Sequence, residues 1–304
     1  MQVFNFGSIN IDLVYRVPHL VAPGETLPSQ SLDTVLGGKG ANQSVALARA
    51  GARVTHIGRL GNTDSWACDQ MQAAGVDVSQ VSMIDGPSGH AIIQVDDHGE
   101  NAIILHGGAN QSFTHDELAV MLKSAEAGDW LLMQNECNGL DSAFALAESL
   151  GMRIAFNPAP MTPRIAQLPL ERCELLIVNE TEAAALAGNH DLDAAIVTLG
   201  KRYPQTRLVL TLGAKGAMLQ RGELQLSAKA MKVAAVDTTG AGDTFVGYFL
   251  ASLMTGLDDQ SALQRSCAAG ALSVTKPGAA PSIPTRAELD LFLGQSDGGE
   301  SINH

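Results

Sequence analysis

The sequence predicts an α/β protein in which helices cover both faces of a largely parallel sheet. Short apolar runs alternate along the chain with longer stretches of helical period, which is the pattern of strands joined by crossover helices. The chain has 304 residues, of which 45% are hydrophobic and 17% are charged. A chain of this size buries roughly three-quarters of its unfolded surface, and this composition excludes a disordered protein.

Six short apolar runs are the candidate strands of this sheet. They are brief and contiguous, as expected for strands that are buried on both faces. The runs cover residues 3–6, 54–57, 130–133, 154–156, 175–178 and 208–212.

The predicted helices are recognised mainly by their ends. Segment 41–50 has helical period and stops at Gly51, a residue type that commonly follows a helix. Segment 245–254 also has a helical pattern. Thr114 and Thr285 are each followed three residues later by a glutamate, the spacing of a capping box at a helix start.

Two stretches break the alternation of strands and helices. Segment 12–36 is too rich in Pro and Ser for a helix and too apolar for a plain linker. Segment 91–106 contains two apolar runs about a polar turn, which is typical of a β-hairpin. Together they predict a small additional sheet. The polar, glycine-bearing segment 296–304 is expected to be a flexible tail.

The charge balance argues against two classes of partner. The chain has 19 Lys and Arg against 32 Asp and Glu, a formal net charge of −13. Nucleic acid and anionic membrane surfaces would be repelled by this field, so we expect neither as a partner. Any phosphate chemistry must therefore depend on local groups.

The cysteines and the first residues indicate a reducing compartment. The four cysteines are far apart and form no C-x-x-C pair, which argues against a zinc knuckle and a redox dithiol. The first residues carry no basic region before the apolar ones, and no apolar run approaches the length that spans a bilayer. We expect a cytoplasmic protein.

The strongest chemical motif is DTTGAGDTF at residues 237–245, between an apolar run and a helical segment. Gly240 and Gly242 permit tight turns, and the sequence predicts unpaired backbone N–H groups at Ala241, Gly242 and Asp243. Such groups at the positive end of a helix attract anions. Asp243 is placed to accept a proton from a hydroxyl that attacks a bound phosphoryl group, although it could also simply cap the helix.

A second glycine-rich motif, GGKGAN, opens another helix at residues 37–42. Its glycines allow a ligand to approach the backbone, and Lys39 and Asn42 supply donors suited to several hydroxyl groups. It lacks the order of residues that defines a Walker A phosphate loop. Taken alone, the motif is equally compatible with a tight turn that carries an exposed lysine.

These two motifs, extended to GGKGANQSVALARAG and DTTGAGDTFVGYF, resemble the two signature regions of the PfkB family of carbohydrate kinases, and its ribokinase branch most of all. GSINID, LLMQNE, NPAP, VNETEA, TLGAKGA and GAAPSIP follow the family's order between and around them. The resemblance extends from about Phe6 to Leu293.

The resemblance implies a ribokinase-like architecture: a doubly wound, mostly parallel sheet flanked by helices, with a small β-sheet lid. The two irregular stretches fall where the lid should be, and in such relatives two lids pack together in a homodimer. The expected division is an α/β domain over residues 1–11, 37–90 and 107–295, and a discontinuous lid over residues 12–36 and 91–106.

The resemblance also implies residue roles at a sugar site. Asp243 is the expected catalytic base, and it also contacts the sugar. Ala241, Gly242 and Asp243 are expected to form the backbone anion hole, and Gly240 before them is also expected to be part of the catalytic loop. Glu136 could instead be an ordinary surface charge at a strand end. The remaining expected sugar ligands are Asn10, Asp12, Gly38, Lys39, Asn42 and Glu136.

For the nucleotide, Asn179 and Glu182 match the family's N-x-x-E motif, which is associated with magnesium and phosphate. A hydrated Mg²⁺ keeps most of its waters, so the single carboxylate of Glu182 is chemically adequate. The same pair is also spaced to cap a helix. Cys267 stands where such kinases often have His or Asn beside the adenine. The other expected nucleotide contacts are Thr211, Gly213, Ala214, Gly216 and Gly242.

A site for K⁺ as an activator is implied by two segments far apart in the sequence. Most of its ligands would be backbone carbonyls, and the alternative is an ordinary loop that contains Gly and Pro. The residues concerned are Asp237, Thr239, Ser273, Lys276, Gly278 and Ser282.

The expected activity is transfer of the γ-phosphoryl group of ATP to the primary 5-hydroxyl of D-ribose, with Mg²⁺ or another divalent cation. A nucleoside kinase and another free-sugar kinase, such as one resembling fructokinases, are the alternatives. A sugar-binding regulator without activity is a third hypothesis, against which the presence of Asp243 argues.

Overall fold

The structure is a computed structural model that describes residues 1–297. Its strands are β1 (Val3–Phe6), β2 (Asn10–Arg16), β3 (Ser31–Gly37), β4 (Val54–Gly61), β5 (Asp77–Ile84), β6 (Gly89–Val95), β7 (Asn101–His106), β8 (Trp130–Gln134), β9 (Arg153–Asn157), β10 (Cys173–Asn179), β11 (Arg207–Thr211), β12 (Ala217–Arg221) and β13 (Leu224–Ala228). Its α-helices are α1 (Lys39–Arg49), α2 (Trp66–Ala73), α3 (His115–Met121), α4 (Leu140–Ser149), α5 (Glu180–Ala187), α6 (Leu192–Arg202), α7 (Ala241–Met254), α8 (Asp259–Ser273) and α9 (Arg286–Asp297).

Nine strands form one large sheet in the order β13-β12-β11-β10-β9-β8-β1-β4-β5. All neighbouring pairs from β11 to β5 are parallel, and β12 and β13 add an antiparallel hairpin at one edge. The predicted fold class is therefore confirmed. The two faces of the sheet belong to different hydrophobic clusters, because Trp130 and Leu132 of β8 lie in one cluster and Leu131 and Met133 lie in the other.

Every predicted strand overlaps an observed one, but three strands of the large sheet were not predicted. β5 lies at an edge, and its sequence DVSQVSMI is only partly apolar. β12 and β13 pair through a two-residue turn in which Gly222 has a φ of +56°. Glycine adopts this conformation without the clash that a Cβ would cause, so this short turn is the signal that sequence reasoning missed.

The predicted helix ends agree with the structure. α1 ends at Arg49, and Gly51 beyond it has a φ of +95°. Thr114 caps α3 in a capping box with Glu117. Thr285 and Glu288 make the same reciprocal bonds at the start of α9.

The four remaining strands form a small sheet in the order β3-β2-β6-β7, with β2 and β6 parallel and the other pairs antiparallel. This sheet starts earlier than predicted. Asn10 pairs with both Gly37 and Gly89, so these three residues belong to the small sheet although the predicted boundaries assign them to the larger domain. The predicted tail at 296–304 lies outside the described residues, apart from the two residues that end α9.

Within residues 1–297, no helix is both long enough and apolar enough to cross a membrane.

Candidate active site

Two adjoining cavities lie at the carboxyl ends of the central parallel strands, where α/β sheets commonly bind ligands. The smaller has a volume of about 130 Å³ and is lined by polar groups that include Lys39, Glu182 and Asp243. The larger has a volume of about 860 Å³ and extends towards α8. Asn179, Thr211 and Gly242 line both cavities, so a ligand that fills the larger one can reach into the smaller.

Asp243 lies in the first turn of α7, with only 7% of its surface exposed. Each oxygen of its carboxylate accepts one hydrogen bond from a side-chain amide. Asn42 Nδ2 donates to Oδ2 over 3.0 Å, and Gln43 Nε2 donates to Oδ1 over 2.9 Å. Both donors come from the first turns of α1, so the two glycine-rich motifs of the sequence meet at this carboxylate.

At the start of α7, two backbone N–H groups are available to a ligand among the described residues, rather than the three predicted. Gly240 precedes the helix with a φ of +75°. The prediction was wrong for Ala241, because its N–H donates to the carbonyl of Thr238 over 3.3 Å. The N–H groups of Gly242 and Asp243 have no acceptor among the described residues. A Cβ on Gly242 would meet no atom within 4 Å, which shows that this residue faces open space.

The GGKGAN motif depends on close backbone contacts with the segment that joins β1 to β2. Gly38 has a φ of +91°, and a Cβ there would lie 2.8 Å from the backbone nitrogen of Asn10. A Cβ on Gly40 would lie 2.4 Å from the nitrogen of Ser8. Side chains at these positions would force the two segments apart. The glycines thereby let the start of α1 lie directly against the backbone of Ser8 and Asn10.

Asp12 and Glu136 form an acidic pair next to this helix start. Burial, and then repulsion from Glu136, raises the pKa of Asp12 to about 6. Burial also raises the pKa of Glu136, although Ser8 Oγ and the backbone N–H of Lys39 both donate to its Oε2. The alternative hypothesis, that Glu136 is an ordinary surface charge at a strand end, is therefore wrong. Glu136 Oε1 accepts no hydrogen bond from the residues that the structure describes.

Two other predicted sugar residues are held by the protein itself. Asn10 is buried, and its Oδ1 accepts a hydrogen bond from Asn110 Nδ2 over 2.8 Å. Asn42 donates to Asp243, and its own Oδ1 is buried without a partner among the described residues.

Lys39 is electrostatically coupled to the carboxylates around the smaller cavity. Attraction to Asp243 outweighs burial and raises the pKa of Lys39, and Glu136 and Glu182 act in the same direction. Lys39 is thus not the exposed lysine of an ordinary turn. It lies between the acidic pair and the residues predicted to contact the nucleotide.

Asn179 and Glu182 form a capping box at the start of α5. Asn179 Oδ1 accepts from the N–H of Glu182 over 2.8 Å, and Glu182 Oε2 accepts from the N–H of Asn179 over 2.9 Å. The capping hypothesis is therefore correct. Burial raises the pKa of Glu182, and this residue lines the smaller cavity. No cluster of three or more potential metal-ligating side chains occurs in residues 1–297, and this donor set suits a largely hydrated divalent cation.

The larger cavity is lined by all the other residues predicted for the nucleotide. Gly216 has a φ of +110°, and a Cβ there would lie 2.0 Å from the carbonyl oxygen of Ala228. Cys267 is buried on α8, and burial raises the pKa of its thiol to about 11. Its sulfur lies 3.8 Å from the same carbonyl oxygen. The predicted nucleotide residues in this cavity are Asn179, Thr211, Gly213, Ala214, Gly216, Gly242 and Cys267.

Among the residues predicted for K⁺, Asp237, Thr239 and Gly278 are in direct contact. Asp237 accepts hydrogen bonds from the N–H groups of Thr239 and Gly278, over 2.9 and 2.8 Å. Partial burial raises the pKa of Asp237, but these bonds outweigh it and the net pKa is lowered. A Cβ on Gly240 would lie 3.0 Å from the Cβ of Ala279, so the loop after α8 packs directly against the start of α7.

The other three residues predicted for K⁺ make local bonds. Ser273 Oγ donates to the carbonyl of Gly270, Ser282 Oγ donates to that of Ala279, and Lys276 Nζ pairs with Glu288 over 2.8 Å. The side chains of these residues are therefore already engaged.

Sequence reasoning missed several polar residues that support the site. Gln43 directly follows Asn42, and Ser8 lies within the GSINID motif, but neither was assigned a role. Both are fully buried. The available signal was the run of three consecutive polar residues, 42–44, in a helix that is otherwise rich in alanine. Asn110 and Gln134 each open a similar polar run, at residues 110–112 and 134–136, but these runs did not indicate the contacts, which are with residues far away in the sequence.

Comparison with known proteins identifies the family of the chain. Residues 2–286 match the family described as pfkB family carbohydrate kinase. A ribokinase of Haemophilus influenzae is 38% identical over 299 residues, which cover 94% of this chain and 96% of that protein. A ribokinase of Schizosaccharomyces pombe is 35% identical, with coverages of 95% and 97%. The solved structure of Arabidopsis thaliana ribokinase complexed with ribose and ATP is similar with a TM-score of 0.86 at 28% identity, covering 96% of this chain and 98% of that one.

The family match spans nearly the whole chain, and the relatives are aligned over almost their full lengths. The chain therefore belongs to the pfkB family of carbohydrate kinases, and it is a phosphotransferase that acts on a sugar.

Proposed function

We propose that this chain transfers the γ-phosphoryl group of ATP to the 5-hydroxyl of D-ribose and produces ribose 5-phosphate. The observation that carries the proposal is the buried carboxylate of Asp243, held by two amide donors where the two cavities adjoin. The names of the aligned relatives support ribose as the substrate, and the Arabidopsis structure holds both ribose and ATP.

Asp243 acts as the general base. The sugar hydroxyl oxygen forms a bond to the γ-phosphorus while the bond to the bridging oxygen breaks, so ADP leaves and the hydroxyl proton passes to Asp243. The unpaired N–H groups of Gly242 and Asp243 stabilise the charge that develops on the phosphoryl oxygens. Most of the catalysis comes from positioning and charge stabilisation, as is general for phosphoryl transfer.

The sugar occupies the space between the acidic pair and Asp243. Ionised Asp12 accepts from two neighbouring hydroxyls, and Glu136 accepts through the oxygen that Ser8 and Lys39 leave free. Asn10, Gly38 and Asn42 supply the other contacts. Lys39 also offsets the negative charge of the transferring group, since it lies among the carboxylates of the smaller cavity.

ATP binds along the larger cavity with its phosphates at the residues that the two cavities share. Glu182 holds Mg²⁺ through water, and Asn179 is adjacent. When bound, Mg²⁺ neutralises phosphate charge. The neutral thiol of Cys267 offers a weaker contact to the base than the His or Asn expected at this position.

K⁺ is proposed as an activator that acts through the loop after α8. Asp237 links this loop to the segment before α7, and Ala279 packs on Gly240. A cation held by carbonyl groups in this loop would fix the start of α7 without contacting the substrate.

A homodimer through the small sheet is also proposed. β3 and β7 are edge strands of that sheet and expose large apolar side chains, including Ile103 at 56%, Ile104 at 65% and Leu105 at 51%. Unpaired edges and apolar patches of this kind are commonly covered. Light scattering at micromolar concentration should give twice the chain mass. Ile104→Lys should reduce this measured mass, whereas the control Val120→Lys on α3 should leave it unchanged. A monomeric wild type would contradict the proposal.

The activity is tested with purified protein, ATP and Mg²⁺ against D-ribose, 2-deoxyribose, D-fructose and adenosine. We expect the highest kcat/KM for D-ribose, with equal amounts of ADP and of a sugar phosphorylated at the 5-hydroxyl. A higher kcat/KM for adenosine or fructose would assign the chain to one of the alternative kinase classes. Sugar binding without ADP formation would identify a non-catalytic protein.

A further inference from the structure

A chain of three buried amide side chains lies beneath Asp243. It consists of Asn5 at the end of β1, Gln134 at the end of β8 and Gln43 on α1, and we call it the amide chain. Gln134 Nε2 donates to Asn5 Oδ1 over 2.9 Å and to Gln43 Oε1 over 2.7 Å. Gln43 Nε2 then donates to Asp243 Oδ1 over 2.9 Å. All three amides are buried.

The hydrogen-bonding capacity of its two ends fixes the direction of the amide chain. At one end, Asn5 Nδ2 donates to the backbone carbonyl of Gly40 over 2.8 Å. At the other end, the Asp243 carboxylate only accepts when ionised. Both ends therefore require an N–H directed outwards. Gln134, in the middle of the amide chain, must therefore donate in both directions. Both of its N–H groups are used, one for Asn5 and one for Gln43.

This arrangement explains an unpaired buried atom. Gln134 Oε1 has no hydrogen-bond partner among the described residues and lies against Gly7, where a Cβ would be 2.3 Å away. Buried polar atoms without partners are rare and call for an explanation. Turning the Gln134 amide over would give this oxygen no better partner, because it would then face two acceptors, Asn5 Oδ1 and Gln43 Oε1.

Gln43 is fixed from a second side. Its Nε2 also donates to Asn157 Oδ1 over 3.1 Å, and Asn157 Nδ2 in turn donates to the carbonyl of Ile177 over 2.9 Å. A reversed Gln43 amide would direct its oxygen at two acceptors, Asp243 and Asn157. The carboxylate is thus approached by a donor that has no alternative orientation.

We propose that Gln43 is a positioning residue that holds the carboxylate of Asp243 in its reactive orientation, and that Gln134 fixes the orientation of Gln43. The inference rests on the proposed role of Asp243 as the base. Among the described residues, removing the Gln43 donor leaves the carboxylate with the Asn42 bond alone. Turnover should then fall while sugar affinity is kept, because the defect concerns orientation rather than contact with the sugar.

The loss of this donor should also change the pH dependence. A hydrogen bond to a carboxylate favours its ionised form. Lys39, Glu136 and Glu182 also act electrostatically around Asp243 and remain in the variant. The acid limb of the kcat profile should therefore move to higher pH when Gln43 is replaced.

The test compares Gln43→Met and the nearly isosteric Gln43→Glu with Thr206→Val. Thr206 is a matched control, because it is buried, its hydroxyl donates to the carbonyl of Cys173, and it precedes β11 at the end opposite to Thr211. For both Gln43 variants we expect kcat to fall by about 10- to 100-fold, since a small misplacement of reacting groups has effects of this order. The Kd for ribose should stay within about twofold of the wild type.

The control should lose thermal stability and keep the wild-type kcat profile. An unchanged kcat and an unchanged acid limb in Gln43→Met would overturn the proposal. An equal loss of kcat in Thr206→Val would also overturn it, because the effect would then be one of general stability.

Asp243→Asn separates this inference from the function on which it rests. If Asp243→Asn keeps its turnover, the base assignment itself is wrong. If Asp243→Asn is inactive and Gln43→Met is fully active, only the positioning role is wrong. In the double variant, Gln43→Met should leave the residual rate of Asp243→Asn unchanged, and a further drop by the same factor would contradict the inference.

Discussion

Sugar affinity should depend on the ionisation of Asp12. Its pKa is raised to about 6, first by burial and then by repulsion from Glu136. If only the ionised carboxylate accepts from the sugar hydroxyls, affinity is complete above this pH and falls below it. A midpoint of about 6 makes binding about tenfold weaker at pH 5 than at pH 8. Calorimetric titration with ribose between pH 5 and pH 8 measures this directly.

The same residue links pH to stability. The native state keeps the Asp12 proton up to a pH of about 6, whereas the unfolded chain loses it near 3.8. The stabilisation is therefore complete below pH 3.8 and is lost as pH rises through 6. It amounts to at most about 3 kcal/mol, from about 1.4 kcal/mol per pKa unit. Urea unfolding of Asp12→Asn should lack this decline.

Two variants make the Asp12 prediction specific. Asp12→Asn should bind ribose more weakly and lose most of the pH dependence between pH 5 and pH 8. Glu136→Gln removes the repulsion, so the midpoint of the affinity profile should move to lower pH. A wild-type affinity that is flat over this range would refute the reasoning, and so would Asp12→Asn with the wild-type slope.

Three further predictions follow from local geometry. At fixed ionic strength, initial rates should be higher with K⁺ than with Na⁺ or a bulky organic cation, mainly through kcat, and Asp237→Ala should lose this response. Equal rates with all cations, or an Asp237→Ala variant with the full response, would exclude the K⁺ site. Gly38→Ala should lower the free energy of unfolding by about 1–3 kcal/mol. The loss should exceed that of Gly24→Ala, because both glycines have a positive φ but only Gly38 has atoms within 4 Å of the added Cβ. Equal losses of unfolding free energy in urea would contradict the close approach at Gly38. Glu182→Gln keeps the capping geometry of α5 and should raise the Mg²⁺ concentration needed for half-maximal rate without changing ribose affinity. The control Glu117→Gln, in the capping box of α3, should change neither quantity. An unaltered Mg²⁺ requirement in Glu182→Gln would exclude a role of Glu182 in holding Mg²⁺.

The sequence was most informative where function depends on local chain geometry. The motifs at residues 37–42 and 237–245 predicted two helix starts. Gly38, Gly40 and Gly240 in them are required by positive φ angles or close contacts, whereas Gly242 has neither. The parallel sheet could be predicted from short apolar runs, because a strand that is buried on both faces consists of consecutive apolar residues. The fold class was therefore predictable from local patterns.

The contacts that join these motifs could not be predicted in the same way. Gln43 and Asp243 are separated by 200 positions, and Gln134 and Asn5 by 129. Nothing in a single sequence specifies which polar side chains meet across such separations. The N–H of Ala241 also escaped prediction, because its bond to Thr238 depends on how tightly the preceding turn closes.

The most direct test of the account is the turnover of Asp243→Asn measured together with its sugar binding. The side chain keeps its size and its place at the start of α7, but it no longer accepts a proton efficiently. We expect ribose to bind to the folded variant, and kcat to fall by about 10²- to 10⁴-fold, the usual contribution of a general base. A variant that binds ribose and turns over at a rate near that of the wild type would contradict the central claim.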